Sequence, residues 1–257
     1  MADCVDEGWL QERGSLGSRG CVELLMLISL HLPKTAGTSF LVALKSYFGQ
    51  NLMEDYGDHP LHKSTSRRNF HALHACLRNA FPPSNLKTPE CIHGHFLPLK
   101  YILLNLPARK RYVVWMRDPV ERLASHYFYW TRNYDPHNAG LLHRKVMEEN
   151  WTLERFCLGP EMRNTYSKFL WGFPLSRFDF IGITEFYATE IEQFSRRILG
   201  ASVDNLQKNV SPHGVRHAHV QESDLRCKIE TYHQVDMALY RRALQLRQKR
   251  MIDPGQS

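Results

Sequence analysis

The chain is short of several things that would place it quickly. Its six cysteines, Cys4, Cys21, Cys76, Cys91, Cys157 and Cys227, are scattered through 257 residues with no CxxC pair. Neither a zinc ribbon nor a small disulfide framework fits that spacing, and reduced thiols are the default. No apolar run is long enough to cross a bilayer. The longest near the start, Val22 to Leu32, is interrupted by Glu23 and is about half of the ~20 residues a span needs. A secretory signal is not expected either, because Asp3, Asp6, Glu7 and Glu12 precede that run where basic residues would stand. There is no internal repeat and no Pro/Gly/Ser-rich linker that would divide the chain.

What is present is ordinary globular composition: 43% hydrophobic, 11% aromatic and 23% charged residues, enough for one α/β domain with a full core. Lys and Arg exceed Asp and Glu by 33 to 26, a formal charge of +7. This favours an anionic ligand but does not say where the field is focused. No nucleic-acid-binding module is recognised. Two sequons, at Asn150 and Asn209, matter only if the chain is secreted.

Residues 1–20 read as a loose leader and 21–257 as a single domain. Glu23 to His31 has the nearly continuous apolar pattern of a strand buried on both faces of a parallel sheet, ended by Pro33. Phe40 to Phe48 then shows helical spacing. Glu90 to His95, Arg111 to Met116 and Phe178 to Thr184 read as further strands. Helices are expected near Arg67 to Asn79, from Pro119, over 141–149, 152–157 and 162–170, over Tyr187 to Leu199, and from about Glu222 to Arg250 without a break. The rest of 50–89 reads as an irregular insertion facing an acceptor, and 205–220 as a functional loop. The economical architecture is a P-loop-NTPase-like parallel β-sheet flanked by helices, with ligands at the strand C-terminal ends.

Two segments carry the chemistry. Pro33-Lys34-Thr35-Ala36-Gly37-Thr38-Ser39 lies between the first strand and first helix, where free N–H groups and the helix dipole favour an anion. Lys34 offers a point charge, Gly37 close backbone approach, and Thr35, Thr38 and Ser39 offer hydroxyls. This is not a Walker A loop, since Lys34 precedes Gly37. Arg117 follows the 111–116 strand and Ser125 lies two helical turns further on, so a guanidinium and a hydroxyl converge on one phosphate. The plainer alternative is an Arg117–Asp118 ion pair closing the turn, with Arg122 exposed on the helix.

Together these motifs resemble the sulfotransferases that use 3′-phosphoadenosine-5′-phosphosulfate (PAPS), most closely the heparan sulfate and uronyl 2-O-sulfotransferases and their soluble bacterial-type relatives. The resemblance extends over Ile92-His93-Gly94-His95-Phe96, Asn164 to Leu170 and Gly182-Ile183-Thr184-Glu185. It implies transfer of a sulfuryl group from PAPS to an acceptor hydroxyl, a saccharide being one candidate, with 3′-phosphoadenosine 5′-phosphate (PAP) as product. It implies that residues 33–39 hold the 5′-phosphosulfate, that Arg117 and Ser125 hold the 3′-phosphate, and that Ser211 and Arg216 close over the adenosine. It makes His95 the general base, a role that suits imidazole near neutral pH, with His93, Asn164 and Lys168 as substrate-binding candidates. Lys34 gains a catalytic role by stabilising charge on the leaving phosphate oxygen.

No metal is expected. A Zn²⁺ site from His71, His74, His93 and His95 is the alternative there, without an HExxH to support it. A P-loop kinase or nucleotide hydrolase is the alternative function, with Asp118 as its Mg²⁺ carboxylate. The aromatic run Tyr127, Phe128, Tyr129, Trp130 and Tyr134 fits a core stripe better than a sugar-stacking wall. Lys63, Arg67, Arg68, Arg78 and Lys100 are candidate attractors of an anionic saccharide. A cytoplasmic enzyme is expected, with the Golgi lumen as the alternative if an N-terminal anchor precedes this sequence.

Overall fold

The computed structural model describes residues 25–82, 88–106, 108–200 and 223–252. Five strands, β1 (Leu25–Leu30), β2 (Leu52–Asp55), β3 (Cys91–Gly94), β4 (Arg109–Met116) and β5 (Phe180–Ile183), form one sheet in the order β2-β3-β1-β4-β5. Every pairing is parallel, and a parallel sheet needs both faces covered. β1 lies at the centre, and its sequence LMLISL supplies apolar side chains to both faces, as a buried strand must. Met26, Ile28 and Leu30 enter one core with Val114, Met116 and Tyr166, whereas Leu27 enters the opposite core with Phe40, Leu44, Val113 and Trp115. Each such fully buried side chain contributes roughly 1.5–3 kcal/mol.

The helices are α1 (Gly37–Phe48), α2 (Thr65–Asn79), α3 (Pro119–Arg132), α4 (Leu141–Glu148), α5 (Leu153–Cys157), α6 (Thr165–Phe169), α7 (Tyr187–Phe194), α8 (Ser223–Tyr232) and α9 (Gln234–Ile252). α1 and α7 cover the Leu27 face, while α6 and α9 cover the other. A third apolar cluster joins α3, α4 and α5 to Ile229 and Met237. α3 begins as its sequence dictates. Pro119 occupies the first turn and Asp118 accepts hydrogen bonds from the N–H groups of Val120 and Glu121.

Two expectations need correction. The 50–89 region is not an irregular insertion around one helix, because Leu52–Asp55 pairs with Cys91–Gly94 and makes the sheet edge. The approach is so close that a Cβ on Gly94 would fall 1.8 Å from the carbonyl oxygen of Asp55. The last helix is not continuous: α8 and α9 are separated at His233, which is fully buried. The imidazole of His233 is fixed between the N–H of Asn164, which donates to Nδ1 at 3.1 Å, and the carbonyl of Cys157, 2.7 Å from Nε2. At the other end of α9, Arg247 and Arg250 both pair with the buried carboxylate of Glu190 on α7.

Candidate active site

The loop after β1 takes two left-handed residues, Lys34 at φ 65° and Ala36 at φ 63°, a backbone that non-glycine residues seldom adopt. Ala36 has no side chain with which to cap α1, so the first N–H groups of that helix have no side-chain acceptor. The hydroxyls of Thr38 and Ser39 have no hydrogen-bond partner among the described residues. Thr35 differs from the sequence reading. Its side chain is fully buried and its hydroxyl donates to the carbonyl of Leu32 at 2.9 Å, which secures the turn rather than offering a donor to a ligand. Gly37 is also there for another reason, since a Cβ would lie 1.8 Å from Nε2 of His31. The space belongs to an imidazole.

Positive charge converges here. The ammonium of Lys34 stands 3.7 Å from the ring centroid of Tyr129 on α3, a cation–π contact. Burial, reinforced by Arg117 and Arg132, pulls the Lys34 pKa down to about 8. Arg117 lies at the end of β4, and its guanidinium has no carboxylate partner among the described residues. The expected alternative, an Arg117–Asp118 pair, is not formed. Asp118 caps α3 and pairs with Arg226 at 2.7 Å, which leaves it poorly available to a Mg²⁺ ion as well. Tyr166 fixes the main chain at Arg117, donating to its carbonyl at 2.6 Å. Ser125, on α3, is partly exposed with its hydroxyl unpartnered among the described residues.

An imidazole cluster stands beside the loop. The rings of His31 and His95 are 4.4 Å apart and those of His31 and His93 are 5.1 Å apart, so His93 in β3 and His95 just beyond its end both reach the ring of His31, as a two-residue spacing along an extended chain allows. Nδ1 of His95 is 2.5 Å from the carbonyl oxygen of His31. A carbonyl only accepts, so Nδ1 carries the hydrogen and Nε2 keeps its lone pair. Burial lowers the His95 pKa, partly countered by that hydrogen bond and helped by the charge of His59.

His93 needs correction as a substrate-binding candidate. It is 1% exposed, in register with Ser29, and hydrogen-bonded to that hydroxyl through Nδ1 at 2.8 Å. Its position inside the sheet, stacked against the ring of His31, leaves it no surface to offer an acceptor. Burial lowers its pKa to about 3.

α6 connects the two halves of the site. Phe169 lies 6.2 Å, ring to ring, from His95, and Tyr166 reaches Arg117. Its first turn is held by Asp236, which accepts from the N–H groups of Tyr166 and Ser167. Asn164 adopts φ 50° and leaves its buried Oδ1 without a partner, while Lys168 donates to the carbonyl of Glu161. Ser211 and Arg216 lie outside the described residues, as does the 1–20 segment.

Sequence reasoning missed three contributors. His31 carried a weak signal, a histidine directly before the Leu32-Pro33 turn. Tyr56, whose hydroxyl is 3.0 Å from Nδ1 of His31, follows the unrecognised β2. Arg122 is completely buried against Thr165 and Tyr166 rather than exposed, with Nε and Nη1 unpartnered. Of the candidate saccharide attractors, Lys100 is neutralised by Asp55 and Asp58 and Arg68 is buried. In the aromatic run, Tyr127, Phe128 and Trp130 pack on the α3 core. Among the described residues no group of three or more His, Cys, Asp or Glu is placed to hold a metal ion, and no helix is long and apolar enough to cross a membrane.

No family model matches the chain. Heparan sulfate 2-O-sulfotransferase 1 of Xenopus laevis is 30% identical over 145 residues, 53% of this chain and 39% of that protein. The Mus musculus and Homo sapiens proteins of the same name are each 30% identical over 127 residues, 48% of this chain and 34% of theirs. The chain thus spans little more than a third of the length of these curated relatives. Among solved structures, a sulfotransferase from Alicyclobacillus acidocaldarius aligns over 84% of this chain and 93% of its own, with 13% identity and a TM-score of 0.41. The sequence similarity supports a family relationship with the sulfotransferases.

Proposed function

We propose that this chain transfers a sulfuryl group from PAPS to an acceptor hydroxyl. The observation that carries the reading is the adjacency of two unlike groups: a cationic loop at a helix N-terminus, whose Lys34 and Arg117 have no carboxylate partner among the described residues, and an imidazole whose Nδ1 is already committed to a carbonyl. The loop suits a multiply charged anion and the imidazole suits a proton acceptor. A donor bound there supplies an activated sulfuryl group, whose S–O bond to phosphate breaks as the acceptor's O–S bond forms.

The chain's residues would divide the work. The N–H groups at 37–39, Lys34, Thr38 and Ser39 hold the 5′ end of the donor, and Arg117 with Ser125 holds its 3′-phosphate through charge-assisted hydrogen bonds. Nε2 of His95 takes the hydroxyl proton. The Lys34 ammonium counters charge on the departing phosphate oxygen, so it acts most strongly in the transition state. Asn164 and Lys168, on the segment that touches both Arg117 and His95, line the approach for the acceptor.

Saccharides are the acceptor class to test first, because the relatives are named for heparan sulfate. Incubation with sulfur-labelled PAPS and a panel of desulfated polysaccharides, simple sugars and phenols is expected to give label transfer to a saccharide without added metal. Release of labelled sulfate to water alone, with every acceptor refused, would count against a transferase.

A further inference from the structure

Resting on that reading, we propose that His31 is a positioning residue that locks the base to the donor loop: its main-chain carbonyl fixes which nitrogen of His95 is free, and its imidazole fixes where that nitrogen stands. The carbonyl's role follows from the 2.5 Å contact with Nδ1 of His95, because an acceptor-only oxygen leaves a single tautomer compatible with it. Residue 31 is itself held by sheet geometry, its N–H donating to the carbonyl of Gly94 at 2.8 Å. The two histidines therefore clasp each other across β1 and β3.

The side chain makes the second connection. It lies against the rings of both His93 and His95 and occupies the volume a Cβ at position 37 would take, so it touches the base on one side and the start of α1 on the other. Tyr56 completes the mount, hydrogen-bonding Nδ1 of His31 while its ring packs nearly perpendicular to that of His95, centroids 4.9 Å apart. Burial and the neighbouring His95, His93 and Lys34 keep the His31 ring uncharged. A neutral ring fits between a general base and a cationic loop without repelling either. Neither the donor nor the acceptor need touch it.

The test is nitrogen-15 correlation spectroscopy of histidine-labelled protein, which reads the tautomer of each imidazole, run beside kcat and PAP affinity. The wild type is expected to show His95 as the Nδ1–H form. In His31→Ala the main-chain carbonyl remains, so His95 should keep the Nδ1–H form, while its ring nitrogen signals shift as the ring loses its neighbour and kcat falls about 10–100-fold, the usual cost of a slightly misplaced catalytic group, with PAP affinity kept. Tyr56→Phe, which retains every ring, should shift the His95 nitrogen signals and lower kcat the same way by less, and it decides the matter if His31→Ala does not fold. An Nε2–H form in the wild type, or unchanged His95 nitrogen signals and kcat in Tyr56→Phe together with a failed or unaffected His31→Ala, overturns the proposal. If His95 behaves as stated while PAP is not bound, the fault lies with the sulfotransferase reading and the His31 clasp stands.

Discussion

His95→Ala should lower kcat by about 10²–10⁴-fold, the range that a positioned proton acceptor contributes, while PAP binds as well as before. On the proposed reading the two effects separate, because His95, its Nδ1 committed to the carbonyl of His31, acts on the acceptor hydroxyl and is not one of the groups that hold the donor. Its pKa sets the acid limb of the activity. Burial disfavours the imidazolium, so the neutral, proton-accepting form persists below the pH at which a free histidine charges, and kcat/KM should begin to fall only below that point. A full-strength kcat in the variant, measured with saturating donor and acceptor, would remove His95 as the base.

Lys34→Ala should lower kcat by about 10²–10³-fold, on the scale of losing one donor aimed at developing charge. Some donor affinity is lost as well, because the same ammonium is one of the cations at the loop. Arginine should not rescue it. An ammonium is a compact point charge, whereas a guanidinium spreads its charge over a planar fork of fixed geometry and places less of it at one departing oxygen. The lowered pKa of about 8 gives the basic limb, with kcat/KM declining as the free enzyme loses this charge above that pH. Once an anion is bound it favours the charged form, so the limb in kcat should lie higher. A variant that turns over at the wild-type rate with saturating donor would leave Lys34 as a binding residue only.

The parts of the fold that were legible in the sequence are those whose physics is local. β1 and β4 announce themselves as apolar runs bounded by Pro33 and by Asp118-Pro119, and α3 by a capping aspartate and a first-turn proline. β2 does not, because Leu52–Asp55 is four residues long, lies at the edge and exposes its middle two side chains, so it has neither a buried run nor a clean alternation. The interruption at His233 was hidden for a different reason: it depends on Asn164 and Cys157, which are remote in sequence. Likewise Arg122 reads as a surface residue until α6 covers it.

In the site, the loop, Arg117 and the His93-Gly94-His95 run were visible because each concentrates its chemistry within a few residues. The clasp by His31 was not, since it arises from the parallel register that sets Leu30 beside Gly94. The same register explains why one member of the histidine pair is buried inside the sheet beside Ser29 and the other stands just beyond the strand end. Residue type marked both; only the sheet distinguishes them.

The central claim is that the cationic loop and Arg117 form a site for a nucleotide carrying phosphates at both its 3′ and 5′ ends. Calorimetric titration of the wild type and Arg117→Ala with PAP, with AMP and ATP as controls and no metal added, tests it most directly. The account predicts metal-free binding of PAP well above that of AMP or ATP, weakened by about 10–100-fold in Arg117→Ala because charge-assisted hydrogen bonds are worth roughly 1.5–3 kcal/mol. Equal affinity for PAP and AMP, or an Arg117→Ala protein that binds PAP like the wild type, would contradict it.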